Sequence, residues 1–386
     1  MDETAVTLHG TCEPGFEAVQ RAFVENISER DELGAAFAVV VRGEVVVDLW
    51  AGWADPDRTT PWRPDTLTNV WSTTKGMTAL CAHLLADAGE LDLDAPVARY
   101  WPEFAAEGKG EIPVRWLLSH RSGVVGVGLE RPVTIEELYD WDHITGLLAA
   151  QAPLFPPGSA SGYHALSFGF LVGEVVRRVS GQGVDEFFAA QVAGPLDADF
   201  SIGVREADLG RCSTLVEPVL TPEMTTALTE AFANAGPIAL AAMVNPRPEG
   251  HHANDPAWRR AVLPALNGHG TARALATVYG ALADGRLLSP AALARARAGQ
   301  GQEVDLVAGV PNEWTLGYCL GSDTHSFGPN PAAFGHDGLG GSAGGADPEA
   351  GVGFGYVMNR MGPLLRDDPR KMALVEATFE SLAERG

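Results

Sequence analysis

The sequence predicts an α/β fold, an α+β sheet flanked by helices, into which an all-α domain is inserted. Strand patterns occur near the two ends of the 386-residue chain, whereas the middle carries helical segments separated by Pro and Gly. A chain of this length is also too long for one simple core. We therefore expect a sheet domain formed by residues 1–88 and 265–386, and a mostly helical domain formed by residues 89–264.

The first predicted elements are a helix and a hairpin. Residues 16–28 have the apolar spacing of an amphipathic helix. Residues 35–41 are strongly apolar, Arg42-Gly43 turns the chain, and residues 45–50 return along it, which is the pattern of a β-hairpin.

A second helix is predicted to begin near Ser72. Pro64-Asp65-Thr66 breaks the chain before it and Gly89 ends it. The apolar positions between these signals have helical spacing: Met77, Leu80, Cys81, Leu84 and Leu85. Ser72 is therefore expected at or near a helix N-terminus.

The helical middle of the chain ends in a Pro-rich segment, residues 216–264, which is predicted to be irregular and to form a lid. A helix over residues 270–280 follows it. Beyond that helix, residues 314–320, 332–335 and 351–358 are strand candidates, and residues 370–385 form an amphipathic C-terminal helix.

Composition is that of an ordinary soluble globular protein and disfavours several function classes. The net charge of −23 argues against binding to nucleic acid or to an anionic membrane, because both attract basic patches. No apolar run approaches the roughly 20 residues that span a bilayer. The start Met1-Asp2-Glu3-Thr4 lacks the basic and then apolar beginning of a signal peptide. We expect a cytoplasmic protein. The sequence does not indicate its oligomeric state.

Neither a metal ion nor a cofactor is expected. The cysteines are far apart and form no C-x-x-C pair, which favours free thiols over a disulfide framework or a zinc site. His251-His252 lies near Asp255, but that stretch is rich in Pro and Gly and is typical of a solvated loop.

Lysine is rare in this chain: Lys75, Lys109 and Lys371 stand against 24 arginines. Lys75 follows Ser72 by three residues, and residues i and i+3 share one face of a helix. Because Lys, unlike Arg, can lose its proton inside a protein and act as a base, the spacing matches a Ser/Lys nucleophile pair. An N-cap serine followed by an exposed lysine fits the same residues, and the spacing alone does not separate the two interpretations.

A competing serine lies in Gly340-Gly341-Ser342-Ala343-Gly344, which matches the G-x-S-x-G nucleophile elbow of α/β-hydrolases. That elbow needs a strand before the serine and a helix after it, yet the surrounding sequence is rich in glycine. Those enzymes also place their histidine after the serine, and no histidine follows His336. We therefore predict that Ser342 lies in a tight glycine turn between strands.

Three further motifs carry a family resemblance. The first is similar to a helix end followed by an S/T-H-x-S-G loop and reads Leu117-Leu118-Ser119-His120-Arg121-Ser122-Gly123. The second is similar to the segment that precedes such a loop and reads Gly89-Glu90-Leu91-Asp92-Leu93-Asp94-Ala95-Pro96-Val97. The third is similar to a Pro-Gly loop followed by a tyrosine and reads Pro156-Pro157-Gly158-Ser159-Ala160-Ser161-Gly162-Tyr163-His164-Ala165. With Ser72 and Lys75, these motifs make the chain resemble, over most of its length, the class C β-lactamase-like (penicillin-recognising) serine hydrolase superfamily. Within it the chain is most similar to the family VIII carboxylesterases.

The resemblance implies a β-lactamase/transpeptidase-like fold and a set of catalytic roles. It makes Ser72 the nucleophile, Lys75 the base, and Tyr163 a phenol that passes a proton from the nucleophile to the leaving group. For Lys75 to be neutral near pH 7 its pKa must fall by roughly 3 units from about 10.4, and burial must supply that shift. The superfamily's K-T-G strand is represented by His336-Asp337-Gly338 followed by Leu339. His336 and Gly338 are thereby implied in substrate binding, and the Leu339 amide in the oxyanion hole.

Two departures from the superfamily pattern bear on the substrate. Ala165 replaces the asparagine of Y-x-N, and His336 replaces the lysine of K-T-G; both lost groups normally hold an amide or carboxylate of the substrate. We therefore expect a serine carboxylesterase that hydrolyses small or short-chain acyl esters through a Ser72 acyl-enzyme. The alternatives are an acyltransferase that uses the same acyl-enzyme, a weak β-lactamase or D-amino-acid peptidase, and a non-catalytic binding homologue.

Overall fold

The structure is a computed structural model that describes residues 7–321, 326–364 and 366–385. Within these ranges the strands are β1 (His9–Cys12), β2 (Gly34–Val41), β3 (Glu44–Gly52), β4 (Thr68–Asn69), β5 (Phe200–Ile202), β6 (Gly268–Gly270), β7 (Gln302–Val304), β8 (Pro311–Glu313), β9 (Cys319–Leu320), β10 (Phe334–Asp337), β11 (Ala343–Asp347) and β12 (Val352–Met358).

The α-helices of the same ranges are α1 (Glu17–Glu29), α2 (Thr74–Asp87), α3 (Val114–Leu118), α4 (Trp141–Ala150), α5 (Ser167–Ser180), α6 (Val184–Phe188), α7 (Gly194–Leu196), α8 (Pro222–Ala233), α9 (Pro237–Met243), α10 (Pro256–Arg260), α11 (Ala272–Ala283), α12 (Pro290–Ala296) and α13 (Pro369–Ala383). Short 3₁₀ turns and one π-helical segment, Ala189–Ala193, connect several of them.

Strands from the two ends of the chain form one seven-stranded sheet in the order β1-β3-β2-β12-β11-β10-β9. Its neighbouring strands are antiparallel, and β2 pairs with β12 from Ala35 opposite Met358 to Val41 opposite Val352. The N-terminal and C-terminal parts of the chain therefore meet in the middle of the sheet. This confirms the predicted α/β sheet flanked by helices.

Strand β2 is covered on both faces. Phe37 and Val39 belong to a core with α1 and α13, whereas Ala38 and Val40 belong to a core with α11. Since successive side chains of a strand point to opposite faces, burial of both faces explains why this strand is a continuous apolar run instead of an alternating one.

The regular elements in the middle of the chain are mainly helices, with α2 packed against α5 and α4 against α5. One short strand from this region, β5, joins β4 and β6 in a separate three-stranded sheet. β4 ends two residues before the turn that carries Ser72. The division at residues 88/89 and 264/265 stays a prediction.

One expectation about the fold is wrong and a second holds only in part. Most of the predicted strand over residues 314–320 is a turn, in which Thr315 and Tyr318 bond each other and Gly317 has a φ of 97°. The Pro-rich segment is irregular only in part, because Pro222, Pro237 and Pro256 stand in the first turns of α8, α9 and α10. Proline is favoured there, since a first-turn amide has no intrahelical acceptor.

No helix in the described ranges combines the length and the apolar character that crossing a membrane requires.

Candidate active site

Ser72 lies in a single 3₁₀ turn directly ahead of α2, as the sequence predicts. Trp71 before it has a φ of 46°, in the left-handed region that residues with a Cβ rarely adopt. The turn is bonded to a neighbouring loop, since the Thr73 hydroxyl donates to the Ser342 carbonyl (3.2 Å) and the Ser342 hydroxyl donates to the Val70 carbonyl (2.8 Å). The Ser72 hydroxyl is thus held where the first amides of a helix lack intrahelical acceptors.

Lys75 is fully buried and its Nζ lies 3.0 Å from Ser72 Oγ. The amine also donates to the carbonyl oxygens of Ala165 (2.8 Å) and Ala265 (3.1 Å). Burial lowers the pKa of Lys75 well below its usual value. A neutral amine has two hydrogens for the two carbonyls and one lone pair for the serine hydroxyl. Because Lys75 is buried, the alternative of an exposed lysine is wrong.

Tyr163 meets the same serine from the other side, its phenol donating to Ser72 Oγ at 2.8 Å. Burial raises the pKa of Tyr163 well above its usual value, and the hydrogen bond with Ser72 only partly opposes that rise. The Lys75 Nζ lies 4.8 Å from the centre of the phenol ring. The three predicted catalytic residues are thus together, with an amine that favours the neutral form beside a phenol that keeps its proton.

Two residues that sequence reasoning missed fix the position of Tyr163. The indole of Trp314 stacks on the phenol ring with centroids 5.1 Å apart and an interplanar angle of 2°. Asp305, which is fully buried, accepts from the Tyr163 amide and from the Trp314 indole N–H, each at 2.9 Å. More than 140 residues separate Asp305 from Tyr163, and no motif marks the pair.

A buried Ser–His contact connects the two motif loops. Ser122 Oγ lies 2.6 Å from His164 Nε2, and His164 Nδ1 lies 2.6 Å from the Gly162 carbonyl. Since a carbonyl only accepts, Nδ1 carries the hydrogen and Nε2 accepts from the serine. Burial lowers the pKa of His164 to about 4, so the ring is neutral near pH 7. Both side chains are inaccessible, and the pair holds the loop of Tyr163 in place.

The third motif forms β10 and the turn after it, with His336 and Leu339 beside Ser72 along one cavity. His336 Nδ1 contacts the Asp337 carbonyl at 2.7 Å. A Cβ on Gly338 would lie 2.2 Å from the Val70 carbonyl, so only glycine fits there, and its amide donates to the Ser342 carbonyl. The roles of His336, Gly338 and Leu339 stay predictions.

An amine reaches this motif from elsewhere in the chain. Lys371, on α13 and 1% exposed, places its Nζ 3.2 Å from Asp337 Oδ1 and 3.8 Å from Asp367 Oδ1. The motif itself contains no lysine, but Lys371 from another part of the chain pairs with Asp337 of the motif.

The competing serine, Ser342, lies in the turn between β10 and β11, as predicted. Gly340 and Gly341 have φ values of 85° and 120°. Ser342 is fully buried and its hydroxyl donates to the Val70 carbonyl, so it supports the turn that carries Ser72.

A cavity of about 320 Å³ opens at Ser72. Its floor contains Ser72 and Tyr163, and two charged side chains, Asp337 and Arg366, lie along its wall. The remainder is predominantly apolar, with much of it supplied by α8, α9 and the link between them: Leu228, Ala231, Phe232, Ala235, Ala239, Leu240 and Met243. The predicted lid segment thus forms one wall of the site.

The sequence model of the Beta-lactamase family matches residues 19–378. The chain belongs to the beta-lactamase family. It is a serine hydrolase with the β-lactamase/transpeptidase-like fold that its motifs imply.

Among relatives of this beta-lactamase-family chain, the esterase/beta-lactamase LipL of Mycobacterium tuberculosis is 37% identical over 93% of the chain and 85% of LipL. A crystal structure of a family VIII carboxylesterase is 42% identical and superposes with a TM-score of 0.91, covering 97% of this chain and all of that one. A penicillin-binding protein homologue from Caulobacter crescentus is 39% identical with a TM-score of 0.89, again over 97% of this chain and 100% of its own.

Proposed function

We propose that this protein is a serine carboxylesterase that hydrolyses small or short-chain acyl esters through an acyl-enzyme on Ser72. The observation that carries the proposal is the meeting of the Lys75 amine and the Tyr163 phenol at Ser72 Oγ, 3.0 and 2.8 Å away, on the floor of an apolar cavity. The likeness to a family VIII carboxylesterase and to LipL supports ester chemistry.

Acylation begins when Ser72 Oγ attacks the ester carbonyl carbon and its proton passes to Lys75 Nζ. Burial keeps this amine neutral beforehand, and the Ala165 and Ala265 carbonyls stabilise the ammonium that forms. The amides of Ser72 and Leu339 stabilise the oxyanion.

The tetrahedral intermediate then collapses with cleavage of the bond to the alcohol oxygen. Tyr163 protonates the departing alkoxide, and Lys75 returns the proton it took from Ser72 to the phenol oxygen. In the second step water attacks the acyl carbonyl, Lys75 accepts a proton from that water, and the carboxylic acid leaves as Ser72 regains its hydrogen.

A weak β-lactamase activity is the second candidate, because the name of LipL joins esterase and beta-lactamase. Two residues disfavour it. Ala165 offers only a methyl group and a carbonyl already bonded to Lys75, so no side-chain amide is present to hold a substrate amide. His336 replaces the lysine of the superfamily's K-T-G motif, so the ammonium group that would bind a substrate carboxylate is absent at that position.

The proposal is tested by assaying p-nitrophenyl acetate and butyrate, and separately nitrocefin, with the wild-type protein and with Ser72→Ala. We expect ester turnover that Ser72→Ala abolishes, and nitrocefin turnover that is slower by about 10²-fold or more. A competing alcohol in the ester assay separates hydrolysis from acyl transfer by its products. Faster hydrolysis of nitrocefin than of either ester, or ester turnover that survives loss of Ser72, would contradict the proposal.

A further inference from the structure

Asp305 is a buried carboxylate with an unusual set of partners. It is fully inaccessible and accepts four N–H donors, the main-chain amides of Tyr163, Val307 and Ala308 and the indole of Trp314, all at 2.9 Å. A buried carboxylate is costly unless such donors satisfy it. The position between the loop of residues 305–310 and Tyr163 is therefore surrounded by N–H donors that require a hydrogen-bond acceptor.

The two oxygens of this carboxylate accept hydrogen bonds from different groups. Oδ1 accepts the three main-chain amides, including that of Tyr163, and Oδ2 accepts the Trp314 indole. The indole lies flat against the phenol ring of Tyr163, and His120 contacts the same ring edge-on with centroids 5.0 Å apart. One side chain thus fixes both the backbone from which the phenol projects and the ring against which it lies.

We infer that Asp305 is a positioning residue for the reaction, holding the Tyr163 phenol oxygen within bonding distance of Ser72 through the main chain and through Trp314. The inference rests on the proposed role of Tyr163 as the proton relay. Because the phenol oxygen stands at the far end of a rigid ring, a small tilt of that ring displaces it from Ser72. A displacement of about 1 Å can reduce a catalytic rate by about 10²-fold.

Asp305→Asn tests this selectively. The amide oxygen of asparagine can still accept the three main-chain amides, but its NH₂ group then faces the indole N–H, donor against donor. The loop keeps its bonds while Trp314 is pushed from its place. We expect kcat for p-nitrophenyl butyrate to fall by about 10- to 100-fold, with KM changing less than about 3-fold.

Trp314→Phe supplies the reciprocal change, since phenylalanine keeps an aromatic ring against Tyr163 but has no N–H. Its kcat should fall by only a few-fold. In the double variant D305N/W314F the opposed donors are gone, so kcat should recover to at least about 5-fold above that of Asp305→Asn alone. If Asp305→Asn does not fold, Trp314→Phe still decides: an unchanged kcat overturns the inference.

Glu174→Gln is a control for a buried carboxylate that accepts an indole N–H, although Glu174 also pairs with Arg177 and Arg178. Trp141 donates its indole N–H to Glu174 at 2.8 Å, the same bond in a buried position on α5. This variant should lower the melting temperature while leaving kcat within about 2-fold of wild type. A merely structural Asp305 would behave in the same way.

Wild type and Ser72→Ala are assayed beside these variants. With Ser72-dependent turnover present, a near-normal kcat for Asp305→Asn, or a double variant no better than Asp305→Asn, overturns this inference and leaves the proposed function standing. Turnover that does not depend on Ser72 overturns both.

Discussion

Lys75 and Lys109 occupy closely similar environments. Each is fully buried and donates to two main-chain carbonyls, those of Ala165 and Ala265 for Lys75 and those of Ala106 and Gln151 for Lys109. Each also lies near an aromatic ring, with Nζ 4.8 Å from the centre of Tyr163 in one case and 5.4 Å from that of Phe104 in the other. Lys75 differs in its contact with Ser72, 3.0 Å from Nζ to Oγ.

This likeness provides a test of Lys75 as the base. Lys75→Met removes the amine but keeps an unbranched side chain of similar length, and we expect kcat for a p-nitrophenyl ester to fall by about 10²- to 10⁴-fold. Lys109→Met makes the same chemical change away from Ser72 and should leave kcat within about 3-fold of wild type. Equal losses in the two variants, each folded by circular dichroism, would exclude a specific role for Lys75.

The pH dependence of the reaction follows from the two shifted pKa values. Burial lowers the pKa of Lys75, so the amine becomes neutral, and competent as a base, at a pH below the usual range for lysine. Burial raises the pKa of Tyr163, so the phenol does not ionise near its ordinary pKa of about 10. We expect kcat/KM to rise once with pH and then to stay level to about pH 10. A bell-shaped profile with a descending limb between neutrality and pH 10 would contradict these assignments.

Helix α8 has no buried residue, yet its face with Leu228, Ala231 and Phe232 lines the cavity. We expect this face to contact the apolar part of the ester. Phe232→Ala should lower kcat/KM for p-nitrophenyl hexanoate by about 10-fold and that for the acetate by less than about 2-fold. Thr229→Ala changes an exposed α8 residue outside the cavity lining and should preserve both values. Equal losses for acetate and hexanoate would place the acyl chain elsewhere.

Ser342 bonds to the turn that carries Ser72, and we expect it to support that turn instead of taking part in the chemistry. Ser342→Ala removes the hydroxyl donor of the buried Val70 carbonyl, which still accepts from the Thr73 amide, so the loss should cost about 0.5–1.5 kcal/mol of unfolding free energy. Chemical denaturation measures that loss, and labelling with a fluorophosphonate should still modify Ser72. Loss of labelling in folded Ser342→Ala together with retained labelling in Ser72→Ala would restore the nucleophile-elbow interpretation.

The sequence predicts the parts of this site that depend on local spacing. Ser72 and Lys75 are one helical turn apart, so a helix is enough to bring them together, and the glycines around Ser342 are enough to indicate a turn. Tyr163 lies 91 residues from Ser72, and only its resemblance to a known motif connects the two before the fold is known.

The contacts that spacing does not predict come from tertiary packing. Asp305 contacts Tyr163, and Lys371 contacts Asp337, because the fold brings together segments that are far apart in sequence. The prolines of the lid segment hide its helices in the sequence, because a proline predicts a break whereas Pro222 and Pro237 each begin a helix.

The proposed mechanism requires a covalent acyl-enzyme on Ser72. Acid quenching within the first turnovers of p-nitrophenyl butyrate, followed by intact-mass and peptide mass spectrometry, measures it directly. We expect a butyryl adduct, confined to the peptide that contains Ser72, in the wild-type protein and none in Ser72→Ala. An adduct on another residue, or p-nitrophenol release without any adduct when acylation is faster than deacylation, would contradict an acyl-enzyme on Ser72.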